Sequence, residues 1–126
     1  MRDAHAHLFT RRFFETMAGL APPGRLAGPD PVASLAREMG LEIPSGRGVA
    51  ATRWGQELQE RGVEAAVLMG SIPGEGDEVA EAVEALGGRC IGYAMVDPTK
   101  PACPESIARM GENGLRGAAF FPAMHG

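Results

Sequence analysis

The chain has three histidines, and two of them, His5 and His7, stand one residue apart in "DAHAHLF", just behind Asp3. In an extended strand, residues two apart project from the same face. This spacing therefore groups Asp3, His5 and His7 on one side and Ala4, Ala6 and Leu8 on the other. The backbone advances about 6.6 Å between the two histidines, and their imidazoles can converge on one ion at bond lengths of roughly 2.0 to 2.1 Å. Two readings follow from the residues alone: half of a metal site whose other ligands lie elsewhere, or two solvated polar residues near a terminus.

The choice depends on what other polar residues the fold brings alongside. Three candidates follow short apolar runs: Ser71 after "VEAAVLMG", Asp97 after "RCIGYAMV", and His125 in "FFPAMHG". In parallel α/β architectures function concentrates at the carboxyl ends of the strands, so all three are expected on the edge that carries His5 and His7, at the mouth of a substrate pocket. Ser71 and Asp97 also suit plain turns, Asp97 because it precedes Pro98, and His125 lies next to the last residue given.

The elements that must position these residues can be read from hydrophobic periodicity. "VEAAVLMGS" holds an almost continuously apolar run, Val63 to Gly70, which suits a strand covered on both faces; it follows a polar helix, "RWGQELQERG", ending at Gly62. Val79, Val83 and Leu86 fall at i, i+4 and i+7 in "PGEGDEVAEAVEALGG", a helix whose first turn is acidic at Glu75, Asp77 and Glu78. A third strand is expected in "RCIGYAMVD", then a helix in "PESIARMGENG" with Pro104 in its first turn, then a fourth strand in "GLRGAAFFP", stopped by Pro122. "DAHAHLF" supplies the first strand. Residues 8–53 read as a loop and helix insertion after it, with "APPGRLAGPDP" and "PSGRG" flanking one helix near Val32 to Met39 and forming a cover over the site. Alternation of this kind predicts an α/β fold with about four parallel strands, either a small open sheet or the amino-terminal half of a (β/α)8 TIM barrel.

Composition narrows the partners. With 126 residues, 44% apolar and 22% charged, the chain has room for one globular domain. A net charge of −4 and the lack of a Lys/Arg cluster among aromatics speak against nucleic acid. Cys90 and Cys103 are too few for a disulfide framework and wrongly spaced for a CxxC motif. No stretch approaches the roughly 18 apolar residues of a membrane span, and no apolar leader segment is seen, so a cytoplasmic location is expected.

Taken together, "DAHAHLF", "GVEAAVLMGS", "CIGYAMVDP" and "GLRGAAFFPAMHG" resemble the amino-terminal half of an amidohydrolase-related protein, of the branch that includes aminocarboxymuconate semialdehyde decarboxylase. The resemblance implies a metal-dependent hydrolase or non-oxidative decarboxylase holding one divalent metal, commonly zinc, with His5 and His7 as its first two ligands and a small carbonyl or carboxylate compound as substrate. It also implies a histidine after a fifth strand and an aspartate at an eighth, for which this sequence has no counterpart. The position of a bridging lysine on the fourth strand is Ala119, against a two-metal site. A catalytic zinc needs three protein ligands and a water, so this chain alone is expected to bind metal weakly and to be inactive. Asp3 is expected to support the pair, tethering backbone or ligand.

Two other classes fit parts of the sequence. "VLMGSIPGEGDEV", with Asp97 about 20 residues on, imitates a dinucleotide-binding fingerprint, although Val79 stands at its third glycine and acids sit where pyrophosphate would lie. Alternatively the chain is a non-catalytic half-barrel whose outer strands associate with a second copy or a complementary half.

Overall fold

A computed structural model of the chain describes residues 1–46 and 48–122. Its order is β1 (Arg2–Leu8), α1 (Arg11–Leu20), α2 (Pro31–Met39), α3 (Val49–Glu60), β2 (Ala65–Gly70), α4 (Gly76–Leu86), β3 (Cys90–Met95), α5 (Cys103–Glu112) and β4 (Gly117–Ala119). The four strands form one parallel sheet in the order β1-β2-β3-β4, so each neighbour is the next strand in sequence and each crossing carries a helix. This is the α/β alternation expected from the apolar runs.

One face of the sheet meets α3, α4 and α5. Ala6 of β1 and Ala66 and Leu68 of β2 pack with Leu58 of α3, while Leu8 and Ala94 pack with Ala51, Val79, Ala82 and Met110 from the three helices. Gly92 in β3 favours this approach: a Cβ there would lie 2.4 Å from Leu115 Cδ2, after α5, and 3.0 and 3.1 Å from Val79 and Val83 of α4. On the opposite face Val67 and Tyr93 are half-buried, and Ile91 is 42% exposed.

The 8–53 segment holds two helices before α3, where only one, near Val32 to Met39, was expected. The additional helix, α1, is started by Thr10, whose hydroxyl accepts the Phe13 N–H at 3.2 Å. Asp30 starts α2 in the same way, accepting the Ala33 N–H with Pro31 behind it, and Gly40 ends it in the left-handed conformation at φ 67°. The two helices form a separate aromatic cluster: Phe13, Phe14, Ala36 and Ile72, with Phe9, Met17 and Leu35 against them. Because Phe9 follows β1 and Ile72 follows β2, this cluster lies at the carboxyl ends of the first two strands. The fourth strand is only three residues long and ends before Phe120, shorter than the apolar run "GAAFF" predicts.

β1 is not regular. Asp3 pairs with Ala66 and Ala6 with Leu68, so β1 advances three residues where β2 advances two, and the extra residue is a bulge. The bulge breaks the strict alternation on which the grouping of Asp3 with the histidines rested. Asp3 stays in phase with Ala66 of the helix-covered face, whereas His7 pairs with Met69 on the other face.

Candidate metal centre

His5 and His7 occupy the carboxyl half of β1 and point toward one another. Their Nε2 atoms are 3.0 Å apart and their rings meet edge to face, with centroids 4.9 Å apart. Two nitrogens sharing an ion through bonds of about 2.1 Å can be separated by at most roughly 4.2 Å, and the separation of this pair lies within that span. The bulge contributes to this placement. Asp3 Oδ1 accepts the His5 backbone N–H at 2.9 Å, holding the strand where its ladder is interrupted, so Asp3 reaches the pair through the backbone instead of sharing its face.

His5 is exposed and His7 is half-buried. Phe9 stacks on the His7 ring at 6.0 Å, and Phe121, just after β4, lies 6.2 Å away on a tilt. These contacts shield His7 from water and hold its pKa below the ordinary imidazole value: burial is the larger cause, the charge of His5 adds to it, and Glu75 opposes both. The consequence for stability has a definite sign. A histidine whose pKa is lower in the folded chain than in the unfolded one binds its proton more readily when unfolded, so stability falls as pH drops below the unfolded value near 6.5. Urea unfolding at about pH 7.5 and about pH 5.5 should show this loss, and His7→Gln should lessen it; an unchanged pH slope in the variant would rule His7 out as its source.

Behind His7 lies a buried carboxylate. Glu75, expected as one of three acids in the first turn of the helix, stands just before α4 and is 1% exposed. Its Oε2 accepts the backbone N–H of Ser71 at 2.6 Å and of Ile72 at 3.0 Å, and its Oε1 accepts the hydroxyl of Thr10. Gly70 leaves the space for it, since a Cβ there would lie 3.2 Å from Glu75 Cβ. The local sequence carries no signal for this role, because one partner, Thr10, is 65 residues away. Ser71, expected at a pocket mouth, is buried, with its hydroxyl 3.3 Å from both His7 Nδ1 and the Leu8 carbonyl oxygen.

Asp97 is engaged by its own turn. Its Oδ1 accepts the backbone N–H and the hydroxyl of Thr99 at 2.9 and 2.6 Å, and Lys100 Nζ lies 3.8 Å from Oδ2. His125 lies outside the described residues. Among the described residues no group of three or more His, Cys, Asp or Glu is placed to hold an ion, so His5 and His7 form a pair without a third ligand there. Beside the pair runs an open cleft of about 630 Å³, lined by His7, Phe9 and Trp54 and by Arg53 and Arg61, which are paired with Glu42 and Glu57. Cys90 and Cys103 are both free. Among the described residues no helix is long and apolar enough to cross a membrane.

Fold and site together define an α/β chain with a parallel sheet and a histidine pair at its carboxyl edge. No protein-family model matches the sequence, and no curated protein or solved structure is found similar to it.

Proposed function

We propose that the chain supplies the first part of a mononuclear metal centre, with His5 and His7 as two ligands to one divalent ion, zinc, in a hydrolase or non-oxidative decarboxylase of the amidohydrolase-related kind. The observation that carries this reading is the 3.0 Å approach of the two Nε2 atoms at the carboxyl edge of a parallel sheet. The resemblance of "DAHAHLF" and the three later strand segments to that family supports it, as does a cleft whose size suits a small carbonyl or carboxylate compound. A metal bound there would lower the pKa of a water toward 7 and polarise a substrate carbonyl. The protein's own part is to hold His5 and His7 at one point, to shield His7 with Phe9 and Phe121, and to offer the cleft beside them.

The dinucleotide reading has less support. The Ser71 and Ile72 amides that would face a pyrophosphate already donate to the Glu75 carboxylate, and Asp77 and Glu78 add negative charge in the first turn of α4. The exposed Ile91 and the outer positions of β1 and β4 favour a second reading, a half-barrel that associates with a second copy or with a complementary chain. Light scattering decides that point, since a stable monodisperse monomer would count against it.

Calorimetric titration of the purified, metal-free chain with zinc tests the metal centre. Weak binding of a single zinc is expected, lost in His5→Ala and in His7→Ala. Tight binding that survives both substitutions would remove the ligand assignment.

A further inference from the structure

We infer that Ser71 and Glu75 are positioning residues: Ser71 fixes the tautomer of His7 so that the Nε2 lone pair faces His5, and Glu75 holds Ser71 in place to do so. Its bearing on metal binding rests on the metal-centre reading above, whereas the tautomer itself does not.

The assignment follows from counting donors. The Leu8 carbonyl oxygen can only accept, and the Ser71 hydroxyl has a single proton to give. Its Oγ lies 3.3 Å from that carbonyl and donates to it. The same Oγ lies 3.3 Å from His7 Nδ1, and with its proton directed to Leu8 it can only accept there. His7 Nδ1 must then carry the hydrogen. A neutral imidazole protonated at Nδ1 has its lone pair on Nε2, the atom 3.0 Å from His5 Nε2. Without an ion, the His5 Nε2–H can donate to that lone pair; with one, the same lone pair is the ligand. A ligating histidine whose other nitrogen is tied in this way needs no tautomer exchange before it binds.

Ser71 can serve only if its hydroxyl stays between β1 and the turn after β2. That turn is fixed by Glu75, whose carboxylate takes the N–H groups of Ser71 and Ile72 and the hydroxyl of Thr10. Thr10 in turn accepts the Phe13 N–H at the start of α1. The chain of contacts therefore runs from the α1 terminus through Glu75 and Ser71 to the His7 ring, and both Ser71 and Glu75 are buried.

Nitrogen NMR of the imidazole rings in the full, metal-free chain at about pH 8, above the ordinary imidazole pKa, reads the tautomer directly. The Nδ1–H form is expected for His7, with Ser71→Ala shifting it toward Nε2–H and Ser71→Thr restoring it. Zinc affinity should fall about 10- to 100-fold in Ser71→Ala and recover in Ser71→Thr. An Nε2–H tautomer in the unsubstituted chain, or one unchanged by Ser71→Ala, would overturn the assignment, and the first measurement needs no variant to fold. If the tautomer behaves as stated while the unsubstituted chain takes up no zinc, the metal-centre reading fails and the role of Ser71 in setting the tautomer stands.

Discussion

Replacing Glu75 with alanine should lower the stability of the chain by about 3 kcal/mol, because three buried donors lose their acceptor at once. The Ser71 and Ile72 amides and the Thr10 hydroxyl all end on this carboxylate, in a place with 1% exposure. The space left by the side chain is enclosed, so the freed donors regain little from solvent. Glu75→Gln keeps a carbonyl oxygen for the two amides and should lose only about 1 kcal/mol. Urea unfolding of the two variants beside the parent checks the order. Equal losses would overturn this account, since glutamine keeps both the side-chain volume and an acceptor for the two amides.

The second large effect is expected at Phe14, which has no exposed surface. Phe14→Ala should lower stability by about 3 to 5 kcal/mol, the range for emptying a well-packed aromatic site. Phe14 packs edge to face on Phe13 at 5.3 Å and lies within 6.5 Å of Phe9, which also contacts Phe13 and the His7 ring. Removing it takes out the centre of the cluster that attaches α1 and α2 to the strand ends. A shift in denaturant midpoint worth less than about 1 kcal/mol would show that this cluster is not formed in solution.

Much of the framework is legible in the residues because it depends on local pattern. The apolar run ending at Gly70 and the spacing of Val79, Val83 and Leu86 locate β2 and α4 to within a few residues. The proximity of the two histidines is legible in part for the same reason, since it starts from their spacing on a strand. What escapes such reading depends on contacts between distant segments or on a local irregularity. The first helix is masked by the Pro and Gly residues that follow it, although Thr10 as a cap and Phe13, Phe14 and Met17 as an apolar stripe are its signals. Glu75 looks like one more acid favouring a helix start, and only the fold shows that it turns back onto the preceding loop. The bulge that takes Asp3 out of phase leaves no trace in an alternating string of side chains.

The link between Thr10 and Glu75 spans 65 positions of chain, and it has a bearing on the order of events in time. Closing so long a loop is entropically demanding, so during folding the α1–α2 segment should settle only after β2 and α4 have met. In the finished protein the same segment is attached by the aromatic cluster, by the Glu75 carboxylate, by Arg12 on the Gly74 carbonyl and by the Glu42–Arg53 ion pair, and it is expected to open as a unit before the parallel sheet does. The Ser71 and Ile72 amides would then exchange their hydrogens at the rate of that detachment, before those in the middle of β2. The His7 ring, which Phe9 of this cluster covers on one side, would become more exposed in the same opening.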